Sequence, residues 1–303
     1  MLSVLIPTYK YDVTQLVIDV FKQCTSANIP FEIIVYDDGS GILYNNEIIN
    51  SFSNCTYTAL PKNIGRSAIR NLLAQKAKYS WLLFLDADVQ VIKEDFIANY
   101  LKEINKNTTP KIIYGGIVYQ SNKPEKSQLL RWFYGNKREA IPANQRKKET
   151  YLAFLTLNFV IHKQIFEKVR FNERIPNLRN EDLLYSYDIQ QQQILLSHID
   201  NQVCHLGIET TDIFLKKTDE STLSYIYLWE NKLLPYNYTP YGKMYKKLQD
   251  FHLISLVGLG FKILKPFLTY NLKSCHPSIT IFDMYRMGYV CTLNKKEVLS
   301  QFK

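Results

Sequence analysis

Along the first 120 residues, short unbroken apolar runs alternate with stretches in which apolar residues recur every three or four positions. Residues 2–6 read as a buried strand bounded by Pro7. After Asp12, a side chain suited to an N-cap, Val13, Leu16, Val17, Val20, Phe21 and Cys24 fall on one helical face. Residues 31–36 make a second strand, stopped by Asp37-Asp38-Gly39-Ser40, and a weaker helix over 42–52 leads to a third strand over 55–60. Asn63 is placed to cap a helix reaching Ala77, with Ile64, Ala68, Leu72 and Leu73 facing inward. Trp81-Leu82-Leu83-Phe84-Leu85 is a fourth strand, ended by Asp86-Ala87-Asp88. A helix over about 93–104 and a strand over 112–118 close the series.

Continuous apolar strands separated by helices predict a mostly parallel sheet covered on both faces. Ligands of such sheets bind beyond the carboxyl ends of the strands. Here every polar cluster follows a strand: Thr8-Tyr9, Asp37-Asp38, Asn63-Ile64-Gly65-Arg66 and Asp86/Asp88. Four loops are therefore expected to converge on one sheet edge. Residues 119–180 are more basic and less periodic, with a mobile loop expected over 123–146. A helix begins near Glu181-Asp182, a strand runs into Val203-Cys204-His205, and the chain from about Thr211 reads as helical and aromatic-rich. The expected division is a domain over 1–210, in halves 1–118 and 119–210, followed by a helical region over 211–303.

Composition narrows the classes. With 46% apolar and 21% charged residues, a chain of 303 residues buries a substantial core and is not disordered. A net charge of +9 suits nucleic acid, an anionic membrane or phosphorylated substrates. No basic helix, zinc motif or aromatic RNA-binding signature accompanies it, so nucleic acid is not expected. Five scattered cysteines without a CxxC argue against a disulfide framework. The opening residues carry no basic or long apolar leader, so a cytoplasmic chain is expected. The longest apolar stretch, 253–261, is too short to span a bilayer. Residues 253–270 mix apolar side chains with Lys262 and Lys265, a composition suited to an anionic membrane interface or to an ordinary packed helix.

Two carboxylates one residue apart at a strand end, Asp86 and Asp88, form a hard-oxygen site for Mg²⁺ or Mn²⁺ shared with phosphate. An Asp-x-Asp is also a common solvated turn, and only the strand before it fixes its place. Arg66 and Arg70 share a helical face near a helix start, where the positive dipole end favours anions. Arg70 fits a sheet-edge salt bridge equally well.

Taken together these motifs resemble the family-2 type of inverting nucleotide-sugar glycosyltransferases, which share the A-type glycosyltransferase (GT-A) fold. The resemblance rests on Ser3-Val4-Leu5-Ile6-Pro7-Thr8-Tyr9, Val35-Tyr36-Asp37-Asp38-Gly39-Ser40, Asn63-Ile64-Gly65-Arg66-Ser67-Ala68-Ile69-Arg70-Asn71 and Phe84-Leu85-Asp86-Ala87-Asp88. It implies a Rossmann-like, mostly parallel sheet flanked by helices, with a helical C-terminal extension. By the resemblance, Pro7, Thr8 and Tyr9 line the base pocket and Asp37 accepts from the base. Asp38 shapes that loop, and Gly65, Arg66, Arg70, Asp86 and Ala87 meet the nucleotide sugar. Asp88 is the leading ligand of the divalent metal, Mn²⁺ or Mg²⁺, with Asp86 beside it. Glu181-Asp182 stands at the acidic base motif, Asp182 as general base and Glu181 as orienting partner. His205 is placed to complete the metal site, although a lone histidine on an apolar strand is as often a core residue. The implied partners are a nucleotide-sugar donor, with UDP as the implied carrier, and a glycan or lipid-linked acceptor in surface polysaccharide synthesis.

Departures gather on the acceptor side, where Gln190-Gln191-Gln192-Gln193 replaces a usual glycine and Arg170-Phe171-Asn172-Glu173 replaces Gly-Phe-Asp-Glu. Gln128-Leu129-Leu130-Arg131-Trp132 spells the QxxRW of processive synthases but precedes the base motif instead of following it. A sugar nucleotidyltransferase needs a glycine-rich loop after the first strand, and Thr8-Tyr9-Lys10-Tyr11-Asp12 has none. A phospho-acceptor signalling domain is much shorter than this chain. An inactive nucleotide-sugar or glycan binder of the same fold is the remaining alternative.

Overall fold

In the computed structural model, which describes residues 1–41, 44–106, 109–177 and 179–302, the expected alternation is present. It opens with β1 (Leu2–Thr8), α1 (Thr14–Ser26), β2 (Phe31–Asp37), a 3₁₀ helix (Asn45–Ser51) and β3 (Cys55–Ala59). Next come α2 (Arg66–Lys76), β4 (Trp81–Leu85), β5 (Val89–Val91), α3 (Phe96–Asn105), β6 (Ile112–Tyr114) and β7 (Ile117–Val118). The middle holds α4 (Leu129–Arg138), α5 (Ala143–Arg146), β8 (Asn158–His162), α6 (Lys163–Lys168), α7 (Glu181–Gln191), β9 (Leu196–His198) and β10 (Val203–His205). The remainder is helical: α8 (Thr211–Glu230), α9 (Pro240–Asp250), α10 (Ile254–Leu272), α11 (Ile279–Thr292) and α12 (Lys295–Ser300).

Seven strands form one sheet in the order β3-β2-β1-β4-β8-β6-β9. All neighbours pair parallel except β8, which runs antiparallel to both β4 and β6. The sheet is thus mostly parallel, as its unbroken apolar runs predict. β4 is buried at every residue, and Phe84 stacks between Phe159 and Phe166 at 5.0 and 5.5 Å. A smaller sheet, β5-β10-β7, is made by the strands that follow β4, β9 and β6 in the chain.

Several local expectations change. Pro7 does not end β1: it stays in register with Tyr36 on β2, while pairing to β4 stops at Leu5. Its missing N–H therefore disturbs only one ladder. Asp12 accepts from the Thr14 N–H at 2.8 Å just ahead of α1. The expected helix at 42–52 is a 3₁₀ helix over Asn45–Ser51; residues 42 and 43 lie outside the described residues. α2 starts later than Asn63, at a Gly65 N-cap with φ of +91°, so its buried face is Ile69, Arg70, Leu73 and Ala74, with Ile64 exposed. The strand expected over 112–118 breaks at Gly115-Gly116 into β6 and β7, which belong to different sheets. Gly116 has φ of +89°, and a Cβ on Gly115 would meet Asn158 Nδ2 at 2.6 Å.

The mobile loop expected over 123–146 is instead largely helical, as α4 and α5. Two of its arginines find buried partners that composition hides. The Arg146 guanidinium lies 4.6 Å from the Tyr114 ring and donates to the carbonyls of Tyr114, Gly115 and Ile199. Arg131 sits 5.3 Å from the Phe214 ring, which gives the QxxRW segment a packing role.

The chain divides into two compact units. One comprises Met1–Gln120, Glu139–Glu173 and Glu181–Gly207; the other comprises Ser121–Arg138, Arg174–Asn180 and Ile208–Lys303. The first contains both sheets. The second is helical, and its core gathers Leu130 of α4 with Leu215, Phe261, Leu272, Phe282 and Tyr285. Among the described residues no single helix is long and apolar enough to cross a membrane.

Candidate active site

Four loops at the carboxyl ends of β1, β2, β3 and β4 meet in one cleft of the first unit. The first contributes Pro7, Thr8, Tyr9 and Tyr11 to its lining, and the second Asp38. The third supplies Arg66, Ile69 and Arg70, and the fourth Asp86, Ala87 and Asp88. Convergence follows from topology, because parallel strands lead every one of these loops to the same sheet edge.

The loops are stitched to one another through backbone groups. Asp38 N–H donates to the Thr8 carbonyl at 2.8 Å. The Asp38 carboxylate accepts from the Ile64 and Gly65 N–H groups at 2.7 and 3.1 Å, so it shapes the turn that starts α2. The first loop turns back at Lys10, with φ of +52°, whose N–H donates to Ser40 Oγ at 2.7 Å. Asp37 is buried beneath this layer and is not among the cleft-lining residues. Its oxygens accept from the Ser40 N–H at 2.8 Å and the Tyr57 hydroxyl at 3.2 Å.

Asp86 and Asp88 have separate surroundings. Asp86 N–H donates to the Leu157 carbonyl, and its Oδ1 accepts from Arg70 Nη2 at 2.8 Å. Asp88 stands immediately before β5, between the large sheet and the small one. The antiparallel register of β10 on β5 sets His205 opposite Val89, and Leu206 N–H donates to the Asp88 carbonyl at 2.8 Å. His205 Nε2 consequently lies 3.4 Å from Asp88 Oδ2. Its ring packs 5.5 Å from that of Tyr119, and its buried Nδ1 has no hydrogen-bond partner. Among the described residues no three metal-ligating side chains gather. One carboxylate and one imidazole, completed by diphosphate oxygens and water, is nevertheless a donor set that Mn²⁺ and Mg²⁺ accept.

Arg70 links the cleft to the acidic pair on α7. Its side chain is almost fully buried and pairs with Asp86 at 2.8 Å and Glu181 at 3.5 Å. The more exposed Arg66 reaches Glu181 at 3.8 Å. Burial pushes the Asp182 carboxyl up to about 6, and the neighbouring Glu181 charge pushes the same way. The Leu183 N–H and the charges of Arg70 and Arg66 pull it down. Asp182 is not itself among the cleft-lining residues; it adjoins the cleft through Glu181. From the other side, Asn71 of α2 holds the segment before α7, donating to the Phe171 carbonyl at 2.9 Å and to Glu173 at 2.7 Å.

Of the residues singled out in the sequence, nine line the cleft: Pro7, Thr8, Tyr9, Asp38, Arg66, Arg70, Asp86, Ala87 and Asp88. Gly65 sets the start of α2, His205 adjoins Asp88, and Glu181 and Asp182 stand behind the two arginines. Tyr11 and Ile69 also line the cleft and were not anticipated. Ile69 lies three residues after Arg66, on its helical face, so the spacing carried the signal. Tyr11 is brought in by the Lys10 reversal, helped by the Thr8 hydroxyl donating to the Tyr11 carbonyl at 3.1 Å. No periodicity announces that turn.

Comparison with known proteins bears on the family and the fold. The sequence profile of glycosyl transferase family 2 matches residues 3–170. An uncharacterised glycosyltransferase of Haemophilus influenzae is 28% identical over 217 residues, which is 68% of this chain and 80% of the relative. A second from the same organism is 32% identical over 165 residues, 50% of this chain and 54% of its own length. S. aureus TarS has a similar fold, with a TM-score of 0.50 at 18% identity over 74% of this chain and 65% of its own. So does the mannosyltransferase PcManGT from Pyrobaculum calidifontis, solved with GDP-Man and Mn²⁺, with a TM-score of 0.50 at 14% identity over 74% of this chain and 61% of its own.

Proposed function

The chain belongs to glycosyl transferase family 2, and from that premise we propose that it transfers a sugar from a nucleoside diphosphate to an acceptor hydroxyl with inversion at the anomeric carbon. The observation that carries this reading is the junction of four strand-end loops in one cleft, joined through Arg70 to the acidic pair on α7. The first loop and Asp38 stand on the nucleotide side. Arg66 and the start of α2 offer positive charge and free N–H groups to the diphosphate.

Asp88 and His205 are the residues that would hold a divalent cation, with Asp86 beside them. A cation bound there would neutralise charge on the departing diphosphate. Asp182 takes the proton of the acceptor hydroxyl as its oxygen attacks, and Glu181 holds the α7 terminus against Arg66 and Arg70. The carrier is expected to be UDP and the product a glycan of the surface polysaccharide kind, both on the strength of the resemblance.

The test is turnover across UDP-, GDP- and dTDP-linked sugars with acceptor sugars, with Mn²⁺ or with EDTA. The expected result is acceptor-dependent release of one nucleoside diphosphate, with the product anomer inverted by NMR. Absence of turnover with every donor, or a retained anomer, contradicts the reading.

A further inference from the structure

The outer face of α10 is out of keeping with a surface helix. Leu256, Leu259, Ile263, Phe267 and Tyr270 are 58–82% exposed. At 100° per residue they fall within an arc of roughly 80°. The opposite face, with Gly258, Phe261 and Leu272, is the buried one, and Phe261 meets Tyr285 of α11 at 5.4 Å. Single exposed apolar residues are ordinary, but an unbroken row of five along one helix marks an interaction surface.

Charge identifies what the surface fits. α10 contains no acidic residue, and residues 240–273 hold six lysines against one acid, Asp250, which is paired with Lys246 at 2.7 Å. Lys262 stands at the border of the apolar row by helical spacing, where its stem can lie along the row and its ammonium can reach outward. A second copy packed face to face would bring Lys262 toward its own counterpart, which opposes a dimer through this face. An anionic headgroup layer over an apolar interior complements both features at once.

We propose that the outer face of α10 docks onto an anionic lipid bilayer, lying in the interfacial plane with Leu259, Ile263 and Phe267 immersed. This places the chain peripherally on a membrane. The docking surface stands independently of the sugar-transfer reading, since neither assay draws on the residues of the other.

The test is co-sedimentation of the full chain with vesicles of phosphatidylcholine alone or mixed with phosphatidylglycerol. The chain is expected to pellet with the phosphatidylglycerol vesicles and to be released by high salt. Leu259→Asp/Ile263→Asp should lower partitioning at least about tenfold, with an unchanged thermal melt because both side chains are exposed. Lys262→Glu keeps the apolar row and should weaken binding to the phosphatidylglycerol vesicles. Failure of the parent chain to pellet, or equal binding by the two variants and the parent, overturns the proposal. A parent dimer in light scattering that Leu259→Asp/Ile263→Asp dissociates, without vesicle binding, also overturns it in favour of a second copy.

Discussion

Asp182 owes its chemistry to the balance of groups around it. A carboxyl held at about 6 by burial is ionised at neutral pH yet basic enough to take a hydroxyl proton in the transition state. Asp182→Asn should cut kcat by roughly 10²- to 10⁴-fold and leave nucleotide binding intact, because the part proposed for it is general-base catalysis. In the parent, kcat/KM should climb as pH rises through about 6 and level off above it. Stability runs the other way: the folded chain keeps a proton that an ordinary carboxyl at 3.8 releases. The contribution of Asp182 is full below about pH 4 and is lost as pH rises through about 6, so its removal in Asp182→Asn should flatten that slope in thermal melts. Arg70 presents the structural counterpart. Arg70→Ala strands Asp86 and leaves Glu181 only the longer contact to Arg66, and should cost about 3 kcal/mol in urea unfolding. Arg70→Lys should rescue only part of this, because one ammonium cannot fork to two carboxylates.

At the scale of elements, the ladders place the chemistry. β10 carries His205 to Asp88 by its register on β5, and Gly207 follows so closely that a Cβ there would overlap the Asp88 carboxylate and sit 3.0 Å from His205 Cε1. Gly207→Ala should therefore weaken Mn²⁺-dependent nucleotide binding while leaving the thermal melt within a few degrees, as calorimetry of the variant would read. The apolar runs at 31–36 and 81–85 announced their strands because burial on both faces admits almost nothing polar. The third-loop helix was legible as an element and not in detail. Asn63 looked like the cap, but the Asp38 carboxylate takes the N–H groups of Ile64 and Gly65 from another strand end, and the helix starts later. The stretch at 123–146 misled for a related reason: Arg131 and Arg146 are buried on aromatic rings and carbonyls supplied from far away in sequence.

For the whole molecule, the motif order along residues 1–120 held the donor side of the site, since a parallel sheet turns order into proximity. The acceptor side was less legible. Segments 121–138 and 174–180 pack with the C-terminal helices, so the molecule is not cut at one point in sequence. On the proposed function, the four-loop cleft binds a nucleoside diphosphate through a cation held at Asp88. Calorimetric titration of UDP and GDP into the parent and Asp88→Asn, each with and without Mn²⁺, tests it most directly. One nucleotide should bind the parent with Mn²⁺, and its Kd should rise at least about tenfold when Mn²⁺ is omitted or Asp88 is replaced. Binding of equal strength in all four conditions, or of neither nucleotide in any, would contradict it.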